Sequence, residues 1–250
     1  MSTGPALLSL ALALSLSGCA GGDLNTQHAA AKQWIDLGLQ VAKQANGSQE
    51  VDAAAGLREA LGLGAQRAAA TLAKPGGYLK DPLVHIGLPE PLQPVAKTLR
   101  AVGLGKYVDE LENDMNVSAE IAAAKAAPIF RQAVTNMSVK DALVIVQGDD
   151  TAATRYFRQQ TEGQLLAAFR PAIQDGLRRT GYYDSYRALL DKYNALPLAQ
   201  KPNLDLEQHV LDRAMDGLFL KLAGEERAIR TDPAKRTTAL LKKVFGAPPG

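Results

Sequence analysis

The sequence predicts an all-α protein, a single bundle-like domain of about eight to ten helices with an irregular Pro-rich arm near residues 74–92. Three observations predict it. Ala and Leu dominate a chain that is 46% hydrophobic, and both are strong helix formers. Apolar residues recur at three- and four-residue spacing through most of the 250 residues, the mark of amphipathic helices. Aromatics make up only 5%, so the core must be built of Leu, Ala, Val and Ile at close helix approach. A formal net charge of +2, with acids and bases intermixed, points away from nucleic acid, which wants a concentrated basic face.

The first residues read as an address. Ala6 to Leu16 is an apolar run, too short to span a bilayer but suited to a secretory signal. Leu16-Ser17-Gly18-Cys19 follows. This resembles the lipobox of bacterial lipoproteins, which implies thioether lipidation of Cys19, cleavage before it and acylation of the new amine. Cys19 is the chain's one cysteine, so no intramolecular disulfide or cysteine-clustered metal site is expected. Met1 to Pro5 holds no Lys or Arg; either the terminal amine serves instead or translation starts upstream. Residue 20 is Ala, not Asp, which by resemblance to enterobacterial sorting favours the outer membrane over the inner. The expected organisation is a signal peptide over 1–18, lipidated Cys19 and tether over 19–27, a helical domain over 28–246 and a tail over 247–250. The body would then sit at the periplasmic face of a Gram-negative outer membrane. The tether reaches roughly 26–29 Å at about 3.3–3.6 Å per residue.

Helices follow in order. Residues 28–45 form one, with Trp34 as a packing residue, closed by Asn46-Gly47-Ser48. Residues 49–73 form a second, along Leu57, Leu61, Ala65, Ala68 and Leu72. Its Gly56, Gly62 and Gly64 each cost about 1 kcal/mol relative to Ala and are expected to admit a neighbouring helix. Lys74 to Leu92 reads as an ordered arm across helices, with Val84 to Leu88 a brief strand at most. His85 lies between apolar residues and is read as a hydrogen-bonded structural histidine. Pro91 opens a helix that Gly103 stops. Leu104 to Lys125 follows, lined by Val108, Leu111, Met115, Ala119 and Ala122. Its Glu110, Glu112, Asp114 and Glu120 are read as a solvated face, since no Glu-x-x-His pair makes a di-metal helix. Pro128 interrupts the chain, and Phe130 should be core.

Asn136 to Arg170 is the expected hub, read as three short helices that must pack on something to be stable. Ser138 and Asp141 make a capping box, Gly148 closes that helix, and Asp149 or Asp150 caps the next. Thr161-Glu-Gly-Gln164 reads as the start of the third. Gly181 ends the hub. Tyr182, Tyr183, Tyr186 and Tyr193 then mark either a half-buried helix face or a binding surface. Asp205 to Gln208 starts a helix running to about Ile229. Asp232-Pro233 starts the last, with Leu240, Leu241, Val244 and Phe245 inward and Lys242 and Lys243 at the dipole's negative end or on anionic lipid.

The runs Ala55 to Leu61, Ile86 to Pro89, Gly103 to Gly105, Met115-Asn116, Asp141-Ala142, Ala152 to Phe157, Ala214 to Phe219 and Lys243 to Gly246 resemble an uncharacterised bacterial family, the domain of unknown function numbered 4197. The resemblance covers residues 51–246 and departs from the expected small-residue pattern at Val117-Ser118. It implies an exported helical protein and no particular activity.

No nucleotide fingerprint, metal cluster or triad spacing is present, so no cofactor and no metal are expected. The favoured reading is a membrane-anchored envelope module that binds or scaffolds an envelope protein or lipid, attached through Cys19. The alternative is a carrier of lipid or another apolar ligand in an interhelical cavity. A hydrolase-type enzyme is the third reading. Its candidate groups are Asp149, Asp150, Thr151, Thr154, Arg155 and Arg158, with Asp141 and Arg170, because carboxylates beside arginines at helix starts can move protons or hold phosphate. The same residues also describe a cap with surface ion pairs.

Overall fold

The computed structural model describes residues 54–194 and 205–232, all within the unit Ser48–Gly250. Cys19, the helix around Trp34, the loop at 196–203, the final helix and the side chain of Tyr193 lie outside the described residues. Among the described residues the structure is helical with no strand. The elements are α1 (residues 54–72), a 3-10 turn Glu90–Leu92, α2 Gln93–Ala101, α3 Lys106–Ala123, α4 Ala126–Asn136, α5 Val139–Gln147, α6 Ala152–Thr180, α7 Tyr182–Asn194 and α8 Leu206–Thr231.

The local stop signals act as the sequence predicts. Gly103 and Gly181 take φ of 78° and 87°, the left-handed conformation that only Gly adopts freely. Ser138 and Asp141 form both halves of the capping box, and Asp205 accepts from the Gln208 amide. Pro128 falls in the first turn of α4, where its missing N–H costs nothing.

The first short helix of the expected hub is α5, but the second and third are one long helix. α6 runs 29 residues without a break, about 43 Å at 1.5 Å per residue, and touches α3, α4, α5, α7 and α8. Thr161 does not cap anything. It is 1% exposed, and its hydroxyl donates to the Phe157 carbonyl one turn back at 2.6 Å, which satisfies it within the helix. Pro171 lies within α6. The residue four earlier, Ala167, is exposed, so water reaches the carbonyl that Pro171 leaves without a donor.

Apolar faces of all these helices join in one core. Phe130 of α4, 1% exposed, meets Phe157 of α6 and Phe219 of α8 edge-on, with centroids 5.2 and 6.2 Å apart. Such pairs add about 0.5–1.5 kcal/mol beyond area burial. Two glycines set helix spacing. A Cβ at Gly176 would lie 3.0 Å from Ser118 of α3, and one at Gly217 would lie 2.8 Å from the Tyr78 ring. In α1, Gly64 faces Ile229 and Glu225 of α8, whereas Gly62 meets nothing within 4 Å and gains no close neighbour.

The arm is ordered, and its backbone is held by side chains in place of a partner strand. The Asn116 amide accepts from Ile86 N at 2.9 Å and donates to Ile86 O at 2.8 Å. His209 Nε2 donates to the Gly87 carbonyl, Gln93 donates to the Leu88 carbonyl, and Glu112 accepts from Leu88 N. His85 is structural, donating from Nδ1 to the Leu79 carbonyl. The Tyr78 hydroxyl donates to Ala214 O of α8 at 2.6 Å; burial first, then Glu120, pushes its pKa up strongly.

The acidic residues of α3 are not all a solvated face. Asp114 and Glu120 are 5% and 6% exposed. Glu120 accepts the Tyr78 and Leu79 amides of the arm, and Asp114 accepts the Ser185 hydroxyl of α7. The arm and α7 cover this side of α3. On α7, Tyr182 is buried and stacks on Tyr186, while exposed Tyr183 donates to Glu207.

Candidate functional site

Asp141 lies in α5, and the other seven candidate residues fall along the first two-thirds of α6 and the turn before it. They do not converge. Asp149 accepts from the amide and hydroxyl of Thr151 at 2.9 Å each, and Arg155 Nη1 sits 2.9 and 3.0 Å from its two oxygens. Arg155 also donates to the Thr151 hydroxyl. Hydrogen bonds from Arg155 and then Thr151 pull the Asp149 pKa down to about 2. Asp150 is exposed beside them. Arg158 leaves this group for α8, where it pairs with Asp216 and lies over the Phe219 ring, 4.6 Å from its centroid. Arg170 reaches Gln208 further along the same helix. Asp141 is occupied by the capping box, and the Ser138 bonds hold it below the usual carboxylate range.

Thr154 points to a pair absent from the sequence-based candidates. Its amide and hydroxyl both donate to Glu226 of α8 at 2.8 Å, and the Ala153 amide donates at 2.9 Å. Glu226 is therefore the carboxylate that caps α6, supplied from another helix. It pairs with Arg230 at 3.0 Å, and Arg230 donates to the carbonyls of Ile145 and Gly148 at the end of α5. An acid at a helix start and a base at a helix end are where the helix dipoles favour them. The joint between α5 and α6 is thus clamped from α8. Glu226 and Arg230 are four apart, an ordinary helical ion-pair spacing that said nothing of distant partners.

The concave feature beside these residues lies between α4, α5 and α6. A cleft of about 190 Å³ is bordered by Gln132, Asn136, Asp141, Tyr156, Gln160 and Gln164, with Ala133 and Thr161 also lining it. Asp141 and Tyr156 also border a groove between α5 and α6 that runs past Val144, Ile145 and Arg155. Burial, then the neighbouring Asp141, raises the Tyr156 pKa. At the junction of α4 and α5, Arg58 of α1 donates twice to the Met137 carbonyl, at 3.0 and 2.6 Å. So one wall is fixed by Arg58 and the Ser138 box, and the other by the unbroken α6. Among the described residues, none of the four carboxamides bonds to another protein group.

The four amides were available to the sequence reading as i,i+4 stripes, Gln132 and Asn136 on one helix and Tyr156, Gln160 and Gln164 on the next. Reading Thr161 as a helix start placed a break inside the second stripe and hid it. Among the described residues, no group of three His, Cys, Asp or Glu is placed to hold a metal ion, and no helix is long and apolar enough to cross a membrane. The chain matches a family described as a protein of unknown function, DUF4197, over residues 47–246. No curated protein and no solved structure matches it.

Proposed function

The chain belongs to this DUF4197 family, and we propose that it is a lipid-anchored module of the cell envelope that binds its target in the cleft between α4, α5 and α6. Anchorage rests on the Leu16-Ser17-Gly18-Cys19 sequence behind an apolar run. Acyl chains on Cys19 and its amine contribute about 0.8 kcal/mol per buried methylene. The short tether then keeps the helical body at the periplasmic face of the outer membrane.

One observation carries the binding role. Of the charged groups first suspected of chemistry, Asp141 is held in a capping box, Asp149 and Arg155 pair with each other, and Arg158 pairs with Asp216 of α8, whereas the four carboxamides lining the cleft have no protein partner among the described residues. Asp149 is exposed and held ionised by Arg155, which opposes the near-neutral pKa that proton transfer at physiological pH requires. The cleft's amide lining suits a polar target better than a lipid tail.

The test is photocrosslinking in intact cells, with p-benzoylphenylalanine at position 160 inside the cleft and at position 147 outside it. Capture of an envelope component from position 160 and not from 147 supports the reading. Equal capture from both, or none from position 160, overturns it.

A further inference from the structure

We infer that the cleft between α4, α5 and α6 is a binding site for a neutral sugar ring; the inference rests on the binding role just proposed and names its ligand class. Four carboxamides face one another across it, Gln132 and Asn136 from α4, Gln160 and Gln164 from α6. Each carboxamide carries an acceptor oxygen and a two-proton donor. A sugar hydroxyl is likewise donor and acceptor at one atom, so a ring of hydroxyls matches a ring of amides.

The remaining lining groups narrow the class. Asp141 is the one ionisable group of the cleft that carries charge at neutral pH, and no cationic side chain lines the cleft; an anion would be repelled. A single carboxylate is too few ligands to select a metal cation. Tyr156, half-buried, also lines the cleft and is an aromatic group of the kind that packs against the C–H groups of a pyranose. The volume of about 190 Å³ corresponds to roughly six waters at about 30 Å³ each. That is room for about one ring inside the cleft. The amide side chains are exposed and meet water when the site is empty. Sugar hydroxyls would replace that water bond for bond, so affinity is expected to be weak and directional.

The experiment uses the mature lipidated protein in a sugar-free zwitterionic detergent. Saturation-transfer NMR is read on N-acetylglucosamine and glucose, with glucose 6-phosphate as the anionic comparison. Saturable transfer to the two neutral sugars is expected, with weaker transfer to the phosphate ester. Asn136→Ala/Gln164→Ala should weaken binding about tenfold, and Gln147→Ala should leave it unchanged. Gln132→Ala/Gln160→Ala repeats the test from both walls, should the first pair fold poorly by circular dichroism. Absence of saturable transfer from either neutral sugar, or transfer indifferent to both double variants, overturns the inference. Crosslinking from position 160 with no sugar binding would sink the ligand class alone; failure of both would sink the binding role with it.

Discussion

Replacing Glu226 by Ala should destabilise the fold more than any change in the exposed turn that starts α6. The side chain of Glu226 is 3% exposed and that of Arg230 12%. Glu226 receives the Ala153 amide, the Thr154 amide and hydroxyl, and two nitrogens of Arg230. Hydrogen bonds to a charged group are worth about 1.5–3 kcal/mol each but do not add, because they share one carboxylate. The better guide is the cost of breaking a buried pair, about 3–5 kcal/mol. Glu226→Ala should lose that much, a large share of the roughly 5–15 kcal/mol that holds a domain together. Glu226→Gln keeps one acceptor oxygen for the α6 amides and should lose about half. The assay is urea denaturation with linear extrapolation, in which the midpoint falls while the slope stays constant. Amide exchange at residues 153 and 154 should accelerate in Glu226→Ala beyond the global change. Asp149→Ala, at the same helix end but exposed, should leave the midpoint in place. A loss below about 1 kcal/mol for Glu226→Ala would refute the clamp.

Other outcomes follow from the same packing. Phe130→Ala removes the ring at the junction of α4, α6 and α8 and should cost about 3–5 kcal/mol, read by the same denaturation; a cost under about 1 kcal/mol would contradict its burial. Asn116→Ala leaves Ile86 N and O without partners and should cost about 1–3 kcal/mol, with new protease cleavage within residues 79–90. Cleavage at wild-type rates would show that the arm is held otherwise. Asp114 gives a pH signature, since burial raises its pKa above the ordinary 3.8 despite the Ser185 bond. The folded state therefore binds this proton more tightly than the unfolded one, and its contribution to stability falls as pH rises through the folded value. Asp114→Asn, which keeps an acceptor for Ser185, should raise the urea midpoint at neutral pH. That gain should vanish below about pH 3.8, and a constant gain at all pH would contradict the assignment.

What could be read in the sequence was what depends on neighbours. The Ser138 box, the left-handed Gly103 and Gly181 and the Asp205 cap are local patterns, and each works as such in the structure. The burial of Phe130, Leu111 and Leu218 follows from helical spacing. What escaped depends on partners far along the chain. Glu226 reaches Ala153 across 73 residues, Glu120 reaches Tyr78 across 42 and Asn116 reaches Ile86 across 30. In the sequence these residues look like ordinary polar positions on exposed faces. Thr161 shows the converse. Its pattern is locally valid for a helix start, but burial against the core and a bond to Phe157 keep it inside one. The amide cleft was lost with it, because its residues share a face only if α6 is continuous.

The address of the protein underlies its proposed role, and intact mass spectrometry of the protein extracted from membranes tests it most directly. The account predicts a chain that begins at Cys19 and carries added acyl mass, with Cys19→Ser abolishing that form and releasing the protein from membranes. A wild-type protein recovered without acyl mass and with residues 1–18 still attached would contradict it.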